Sequence, residues 1–261
     1  MPRHSRVRPR RRRRRPGHHG SRPGTAARRA GTWTRTTMAT DSMKRSPPVR
    51  DVFQEELEGI TASLVEMANL VASAMARATT SLLDADLQLA EQVITADETV
   101  DLLRNEIEER AFDNLARQAP VATDARVIVT TLRIVADLER MGDLALHVAK
   151  VARRRYPAKA VPPELQGTIT EMGQVAQRIV AKAGSVIASR DTDLARELES
   201  DDDAMDHLHR QLFHILLERP WSHGMEAAID ITLCGRFYER YADHAVSVAR
   251  RVVYLVTGVK E

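Results

Sequence analysis

The sequence predicts an all-α protein in which two tandem three-helix bundles, six helices in total, follow a disordered Arg-rich tail. Helix formers such as Ala, Leu, Glu and Arg dominate residues 51–261, which contain only five prolines, and aromatic residues make up only 4% of the chain. Apolar residues recur in this region at spacings of three and four, the period of an amphipathic helix. The second half of the region repeats the order of features found in the first half.

The first predicted helix is defined by an apolar stripe. The stripe alternates spacings of four and three and consists of Phe53, Leu57, Ile60, Leu64, Met67, Leu70, Val71 and Ala74. The sequence LLDADLQ around Asp84–Asp86 then offers a new N-cap, because an aspartate side chain accepts hydrogen bonds from the free amides of a helix start. We therefore expect one helix to end here and a second to begin.

Prolines indicate the remaining boundaries. Pro120 and Pro220 each open the third helix of their half, and the segment YPAKAVPPELQG at 156–167 is the one proline-dense break. Because the connections are short, neighbouring helices are expected to be antiparallel. The predicted organisation is a tail at 1–50, a first bundle at 51–156, a linker at 157–163 and a second bundle at 164–261.

Four features recur in the same order in the two halves. They are Asp84-Ala-Asp86-Leu with Asp191-Thr-Asp193-Leu at an offset of 107 residues, Asp97/Asp101 with Asp202/Asp206 at 105, Pro120 with Pro220 at 100, and Glu139-Arg140-Met141-Gly142-Asp143 with Glu239-Arg240-Tyr241-Ala242-Asp243 at 100. The changing offset indicates that helix lengths differ by about a turn while the order of elements is kept.

The duplicated carboxylates form the candidate site. Two carboxylates four residues apart lie one turn apart on the same helix face, where they repel each other unless a positive charge lies between them. Two such pairs on facing helices present four oxygen donors, which suit hard or borderline metal ions. The candidate metal ligands are Asp97, Asp101, Glu139 and Asp143 in the first half and Asp202, Asp206, Glu239 and Asp243 in the second.

Spacing alone does not select these residues. An acidic residue followed by an aspartate four positions later occurs eight times, and a pair without a counterpart, such as Glu226/Asp230, is expected to be solvated surface. Glu139 stands apart because it lies on an apolar stripe, where an unpaired charge is costly to bury. The alternative to a metal is an ion pair with the adjacent arginines, Arg140 and Arg240.

Charge is divided unevenly along the chain. Residues 1–50 hold 16 Lys and Arg and one acidic residue, so they carry +15, whereas the other 211 residues hold 23 basic and 35 acidic residues and carry −12. The Arg10–Arg15 run could anchor the tail to nucleic acid or anionic lipid. The alternatives are a solvated tail and, the one we favour, upstream sequence included through a wrongly chosen start codon, since Met38 and Met43 precede the first helix.

The body is expected to be a cytoplasmic protein without catalytic activity. Its single cysteine, Cys234, allows no internal disulfide, and no unbroken apolar run reaches the about 18 residues of a membrane span. The N-terminus lacks the apolar core of a signal peptide. The sequence contains no phosphate-cradling glycine loop, no HExxH motif and no recognisable nucleophile–base pair.

The duplicated motifs resemble those of the PhoU family. LERMGDLALHVAKVARRRYP and FYERYADHAVSVARRVVYLVTG are similar to the family signature in its two halves, and ADETVDLLRNEIEE with QAPVATDARV is similar to its metal-motif helix and the following turn. The resemblance covers about residues 51–260. The chain departs from the family pattern at Leu144, where the second half has His244, at His147 and Ser247, where the family often has asparagine, and in its tail.

The resemblance implies two three-helix bundles, each with a site that binds a cluster of iron or zinc, or another divalent metal, through the eight carboxylates named above. It implies a cytoplasmic accessory protein, expected as a homodimer, that acts with a phosphate-specific ABC transporter and a phosphate-sensing histidine kinase. In that role the protein represses phosphate-starvation genes when phosphate is plentiful. It reaches the membrane only through these partners and does not bind nucleic acid directly.

Two other functions compete with this one. A metal-storage or di-metal redox bundle without a signalling role would normally carry Glu-x-x-His motifs, and none occurs. A nucleic-acid binder would depend on the basic tail, so that deletion of residues 1–42 distinguishes it from a regulatory adaptor.

Overall fold

Six α-helices account for nearly all of the chain that the computed structural model describes, namely residues 49–118, 122–218 and 221–259. These ranges contain no strand, and a single 3₁₀ turn, Pro163–Leu165, precedes the fourth helix. The helices are α1 Val49–Asp84, α2 Leu87–Gln118, α3 Ala122–Arg155, α4 Gln166–Ser189, α5 Thr192–Glu218 and α6 Gly224–Thr257. The predicted all-α fold with three helices in each half is confirmed. Residues 1–48 of the predicted tail lie outside the described residues, and its last two positions belong to α1.

An aspartate cap separates the first two helices of each half. The Asp86 carboxylate accepts a hydrogen bond from an amide three residues later at 2.9 Å, and the Asp191 carboxylate accepts two, at 2.9 and 3.1 Å. Directly before each cap, Ala85 and Arg190 have left-handed φ angles of 55° and 57°. The expected N-cap is confirmed, but the match of Asp84 with Asp191 is wrong: the caps correspond at an offset of 105, the same as the carboxylate pairs.

The two halves pack through antiparallel contacts of α1 with α4 and of α3 with α6. At the α1–α4 crossing a Cβ atom on Gly184 would lie 3.6 Å from Ala68, and one on Gly173 would lie 2.6 Å from the Thr79 methyl group. The Thr79 hydroxyl is itself fixed, because it donates to a carbonyl one turn earlier at 2.8 Å and lies 2.7 Å from the Tyr238 hydroxyl. The close helix approach therefore depends on glycine at 173.

One apolar core runs through all six helices, and a smaller cluster closes the end where α1 begins. The stripe predicted for the first helix lies in these two clusters, with Leu70 and Ala74 at its half-buried edge. The second half also contributes a polar contact, since the buried Tyr241 hydroxyl donates to the Val71 carbonyl of α1 at 3.0 Å. The halves therefore share one interior rather than touching at their surfaces.

By length and composition alone, Val52–Asp84 within α1 is apolar enough to cross a membrane. This stretch is not an unbroken apolar run of the kind considered in the sequence, because the charged residues Glu66 and Arg77 interrupt it. In the fold, apolar side chains of this stretch such as Met67 and Met75 are fully buried. Packing against α2, α3 and α4 thus accounts for the apolar face of α1.

Asp230 lies buried at the α3–α6 contact, with only 2% of its surface exposed. The expectation that the Glu226/Asp230 pair is solvated surface is therefore wrong for its second member. The antiparallel crossing brings the end of α3 against α6, so that Arg154 and Arg155 both donate to the Asp230 carboxylate. Arg155 also reaches Glu226 at 2.8 Å, and this second contact is exposed.

A second buried carboxylate, Asp137, joins α3 to α6 further along the crossing. Its oxygens accept hydrogen bonds from His244 Nδ1 at 3.2 Å and from Arg251. Burial alone would raise the pKa of Asp137, but the two hydrogen bonds and the charge of Arg251 outweigh burial and hold the pKa below its ordinary value. The ionised form of Asp137 therefore stabilises the fold.

Replacing Asp137 by asparagine is expected to lower the free energy of unfolding by about 1.5 kcal/mol at pH 7, because two charge-assisted hydrogen bonds are weakened. The folded pKa lies below the unfolded value, so this contribution is present above about pH 4 and is lost as the pH falls through the folded pKa. Urea unfolding at pH 7 and pH 3 measures it. Glu199→Gln, which removes the exposed ion pair with Arg250, is the control. An Asp137→Asn effect that is the same at both pH values would contradict this account.

Candidate metal centre

In the first half, antiparallel packing of α2 and α3 brings the four predicted ligands together. Asp97 and Asp101 lie on α2. The charges of Glu139 and Asp143, both on α3, act on the Asp97 carboxylate. A glycine permits the close approach of the helices, since a Cβ atom on Gly142 would lie 3.3 Å from Asp97 Oδ1. The four carboxylates therefore lie on two helices that pack against each other, as the sequence predicts.

The four carboxylates of the first half form one interacting cluster. Burial raises the pKa of Asp97 above its usual value, and the charges of Asp143 and Asp101 raise it further. The pKa of Glu139 is also raised, first by burial and then by Asp143, although two arginines act in the opposite direction. Because the neighbouring negative charges raise the pKa of Asp97 and of Glu139, the site favours a bound positive charge.

Two arginines supply positive charge to this cluster. Arg140 lies 3.1 Å from Asp143 and 3.7 Å from Glu139, so the ion pair considered as the alternative to a metal is present. Arg104 of α2 also lies 3.3 Å from Glu139, a contact that the sequence reasoning missed. Its position three residues after Asp101 places it on the same helix face, which is the signal that could have identified it.

The second half repeats the arrangement with α5 and α6. Burial first, and then the charges of the Asp243, Asp206 and Glu239 carboxylates, together raise the pKa of Asp202 to about 6. Glu239 Oε1 accepts a hydrogen bond from Arg236, whereas its Oε2 atom is buried without a hydrogen-bond partner. The arginine that pairs with Glu239 is thus Arg236, about one turn earlier on α6, and not the adjacent Arg240 that the sequence suggested.

Charge and donor chemistry fit a divalent cation in both clusters. Each cluster supplies four carboxylates whose charges interact, and in the second cluster the Glu239 Oε2 atom is buried without a hydrogen-bond partner. As the side chains stand, no three His, Cys, Asp or Glu groups among the described residues converge on one point, and arginines engage Glu139 and Glu239 instead. The metal ligands and the metal therefore stay predictions. A bound cation would offset the carboxylate repulsion that raises these pKa values.

The two histidines beside these clusters face the α3–α6 contact. His244, which follows Asp243, turns towards Asp137 on α3. His147 Nδ1 lies 2.5 Å from the Asp143 carbonyl, and its ring centroid is 5.3 Å from that of Phe237. Both histidines thus contribute to the joint between the two halves.

Asp202 should give metal-free protein an unusual dependence of stability on pH. Its folded pKa of about 6 lies above the unfolded value of 3.8, so its ionised form destabilises the fold above pH 6 and this penalty disappears as the pH falls towards 4. After allowance for partial solvent screening, the gain between pH 7.5 and pH 4.5 is about 1–2 kcal/mol.

Urea unfolding with a chelator at these two pH values tests this prediction. Asp202→Asn should be more stable than the wild type at pH 7.5 and should lose that part of the pH dependence. Asp193→Asn, at a side chain that is 90% exposed on the same helix, is the matched control. Identical pH slopes for the wild type and Asp202→Asn would refute the assigned charge cluster.

Comparisons with known proteins agree with the duplicated architecture. A family model described as the PhoU domain matches residues 64–152 and 169–252. The Mycobacterium tuberculosis protein named phosphate-specific transport system accessory protein PhoU homolog 2 is 52% identical over 210 residues, which are 80% of this chain and 99% of the relative. The Pseudomonas aeruginosa protein named phosphate-specific transport system accessory protein PhoU homolog is 33% identical over 212 residues, which are 79% of this chain and 86% of the relative.

Solved structures give the same result. The crystal structure of PhoU from Pseudomonas aeruginosa aligns with a TM-score of 0.73 at 32% identity and covers 79% of this chain and all of that one. The Streptococcus pneumoniae regulatory protein PhoU, 22% identical, has the same fold, with a TM-score of 0.68 over 80% of this chain and 99% of that one. With both halves matched by sequence and by structure, this chain belongs to the PhoU family of accessory proteins of phosphate-specific transport.

Proposed function

We propose that the protein is a cytoplasmic regulatory adaptor that couples a phosphate-specific ABC transporter to a phosphate-sensing histidine kinase. In this role it limits phosphate uptake and represses phosphate-starvation genes when phosphate is plentiful. The observation that carries the proposal is the retention of the duplicated carboxylate clusters, one on α2 and α3 and one on α5 and α6, in a chain of this family.

The absence of turnover is part of the proposal. Cys234 is fully buried, and burial raises the pKa of its thiol to about 12, which makes it unsuited to act as a nucleophile. Most other groups with raised pKa values in the described residues belong to the carboxylate clusters or to buried tyrosines. These features suit a protein that acts by binding.

Exposed apolar side chains at equivalent positions of the two halves support contacts with other proteins. Phe112 on α2 and Leu217 on α5 are 59% and 81% exposed and correspond at the offset of 105. Val129 on α3 and Ile229 on α6 are 42% and 51% exposed and correspond at the offset of 100. Exposed apolar side chains at equivalent positions of both halves indicate interaction surfaces. We propose that these side chains contact the transporter, the kinase or a second copy of the chain.

The proposed metal ions would act structurally. Bound in the first cluster by Asp97, Asp101, Glu139 and Asp143, and in the second by the four equivalent residues, iron or zinc would supply positive charge between facing helices. The protein's own part is to hold α2 against α3 and α5 against α6, so that the adaptor surfaces keep a fixed shape.

Capture experiments in phosphate-replete cells test the adaptor role. The tagged full chain should capture transporter and kinase components, and a strain lacking the protein should express starvation genes despite ample phosphate. Phe112→Ser with Leu217→Ser should lower the capture about tenfold. Leu102→Ser is the matched control, because Leu102 is 63% exposed on α2 but aligns with a histidine, His207, in the second half.

The metal-storage alternative and the nucleic-acid alternative give different results. Unchanged starvation-gene expression in the deletion strain, together with metal-loaded protein, would favour storage. Loss of regulation on removal of residues 1–42 would favour a role for the basic tail. The adaptor proposal requires that a chain starting at Met43 restores regulation in full.

A further inference from the structure

A cleft of about 380 Å³ opens between α3 and α6, and Asp143 of the first carboxylate cluster is among its lining residues. Arg140 and Arg240, which occupy equivalent positions of the two halves, both line it. The duplicated motif thus brings two guanidinium groups to a single opening. A guanidinium is charged at every physiological pH, and its planar fork of donors matches an oxyanion.

The two guanidinium groups differ in their surroundings. Arg140 is held by Asp143 at 3.1 Å and by Glu139 at 3.7 Å on its own helix. Arg240 is exposed, and within the described part of the chain no ion pair engages it. The cleft therefore contains one positive charge that is balanced locally and one that is available to a ligand.

Hydrogen-bond acceptors accompany these donors. The Asp143 carboxylate lines the cleft and is an acceptor. His147 also lines the cleft, but its Nδ1 atom is a donor there, to the Asp143 carbonyl at 2.5 Å. A carboxylate repels a fully ionised oxyanion but accepts a hydrogen bond from one that still carries a proton. Hydrogen phosphate has such a proton at neutral pH, whereas sulfate has none.

We propose that this cleft binds inorganic hydrogen phosphate. Arg140 and Arg240 pair with its oxygens, and the Asp143 carboxylate accepts the hydrogen bond of its P–OH group and rejects sulfate. Leu144 and Phe237 form the apolar part of the lining, and His244 also lines the cleft from α6. The inference deepens the proposed function on which its relevance rests, because it makes the adaptor itself a sensor of the phosphate that its partners handle.

Calorimetric titration of the full chain with phosphate and with sulfate tests the proposal. A chelator is present throughout, so that phosphate cannot bind through a metal ion in the carboxylate clusters. We expect phosphate to bind about tenfold more tightly than sulfate. Arg240→Gln should weaken phosphate binding about tenfold, and Arg140→Gln with Arg240→Gln should abolish it. Asp143→Asn should bring the affinities for phosphate and sulfate close together.

Arg250→Gln is the control, because Arg250 is an exposed α6 arginine outside the cleft that pairs with Glu199 at 2.7 Å. Equal affinity for phosphate and sulfate in the wild type would identify an adventitious ion only and would overturn the proposal. Phosphate binding that survives both arginine substitutions would also overturn it. The titration contains no transporter or kinase, so its failure is distinguishable from failure of the adaptor role, which the capture experiment measures.

Discussion

Gly173→Val is expected to lower the free energy of unfolding by about 3 kcal/mol, although valine is a better helix former than glycine. A Cβ atom at this position would lie 2.6 Å from the Thr79 methyl carbon and 3.0 Å from its hydroxyl oxygen. Thr79 cannot turn away without losing its hydrogen bonds, one of which joins it to Tyr238 at 2.7 Å. The substitution therefore forces α4 away from α1 along the contact that joins the halves.

The same helix provides the control. Gly167 lies at the exposed start of α4, and a Cβ atom there would meet nothing within 4 Å. Gly167→Val should change stability by no more than about 0.5 kcal/mol. Thr79→Ser removes the obstructing methyl group and keeps the hydroxyl, so it should recover part of the loss in the Gly173→Val background. Urea unfolding of Gly173→Val, Gly167→Val, Thr79→Ser and the Thr79→Ser/Gly173→Val double variant measures this coupling, and equal effects at 173 and 167 would refute it.

Metal binding is expected to stabilise the chelator-treated protein by about 4 kcal/mol when the free metal reaches about a thousand times its dissociation constant. For a body of this size such a gain raises Tm by about 10 °C. Asp97→Ala with Glu139→Ala should remove the metal of the first half and a large part of the gain. With a chelator present, the same variant should be at least as stable as the wild type, because it removes mutually repelling carboxylates.

This reversal of sign distinguishes a metal site from an ordinary cluster of ion pairs. Metal content and Tm are measured for each variant with zinc, with iron and with a chelator. Glu109→Ala with Asp113→Ala is the matched control, since this exposed pair on α2 has the same spacing but no counterpart in the second half. Unchanged metal content and Tm in the Asp97/Glu139 variant would show that the ligands are assigned wrongly.

Local features explain why so much of the fold could be predicted. Helix periodicity and the N-cap at Asp86 depend on residues close in sequence, and the structure retains both. The duplication then selected Asp97 and Glu139 from a background of similar carboxylate pairs. Even the repeat could mislead, because two aspartates around the cap allowed an alignment shifted by two residues. The hydrogen bonds that Asp86 and Asp191 accept, and the left-handed residue before each of them, determine the correct alignment.

Contacts between the halves could not be predicted in this way. Asp230 and its partner Arg154 are 76 positions apart, and they meet because α3 and α6 cross in antiparallel orientation. Periodicity indicates which face of a helix is apolar but not where along its length another helix crosses it. For the same reason the cleft between Arg140 and Arg240 could be found only in three dimensions.

The position of the caps has a consequence for how the carboxylates are aimed. Asp86 precedes Asp97 by eleven residues, and Asp191 precedes Asp202 by the same number. Eleven residues are about three helical turns, so each cap sets the rotational phase of its helix and directs the carboxylates at the facing helix. Inserting one residue between cap and carboxylate would turn the pair away by about 100°, whereas inserting seven would restore its direction about two turns further along the helix. The caps therefore begin the helices and also determine which way the carboxylates face.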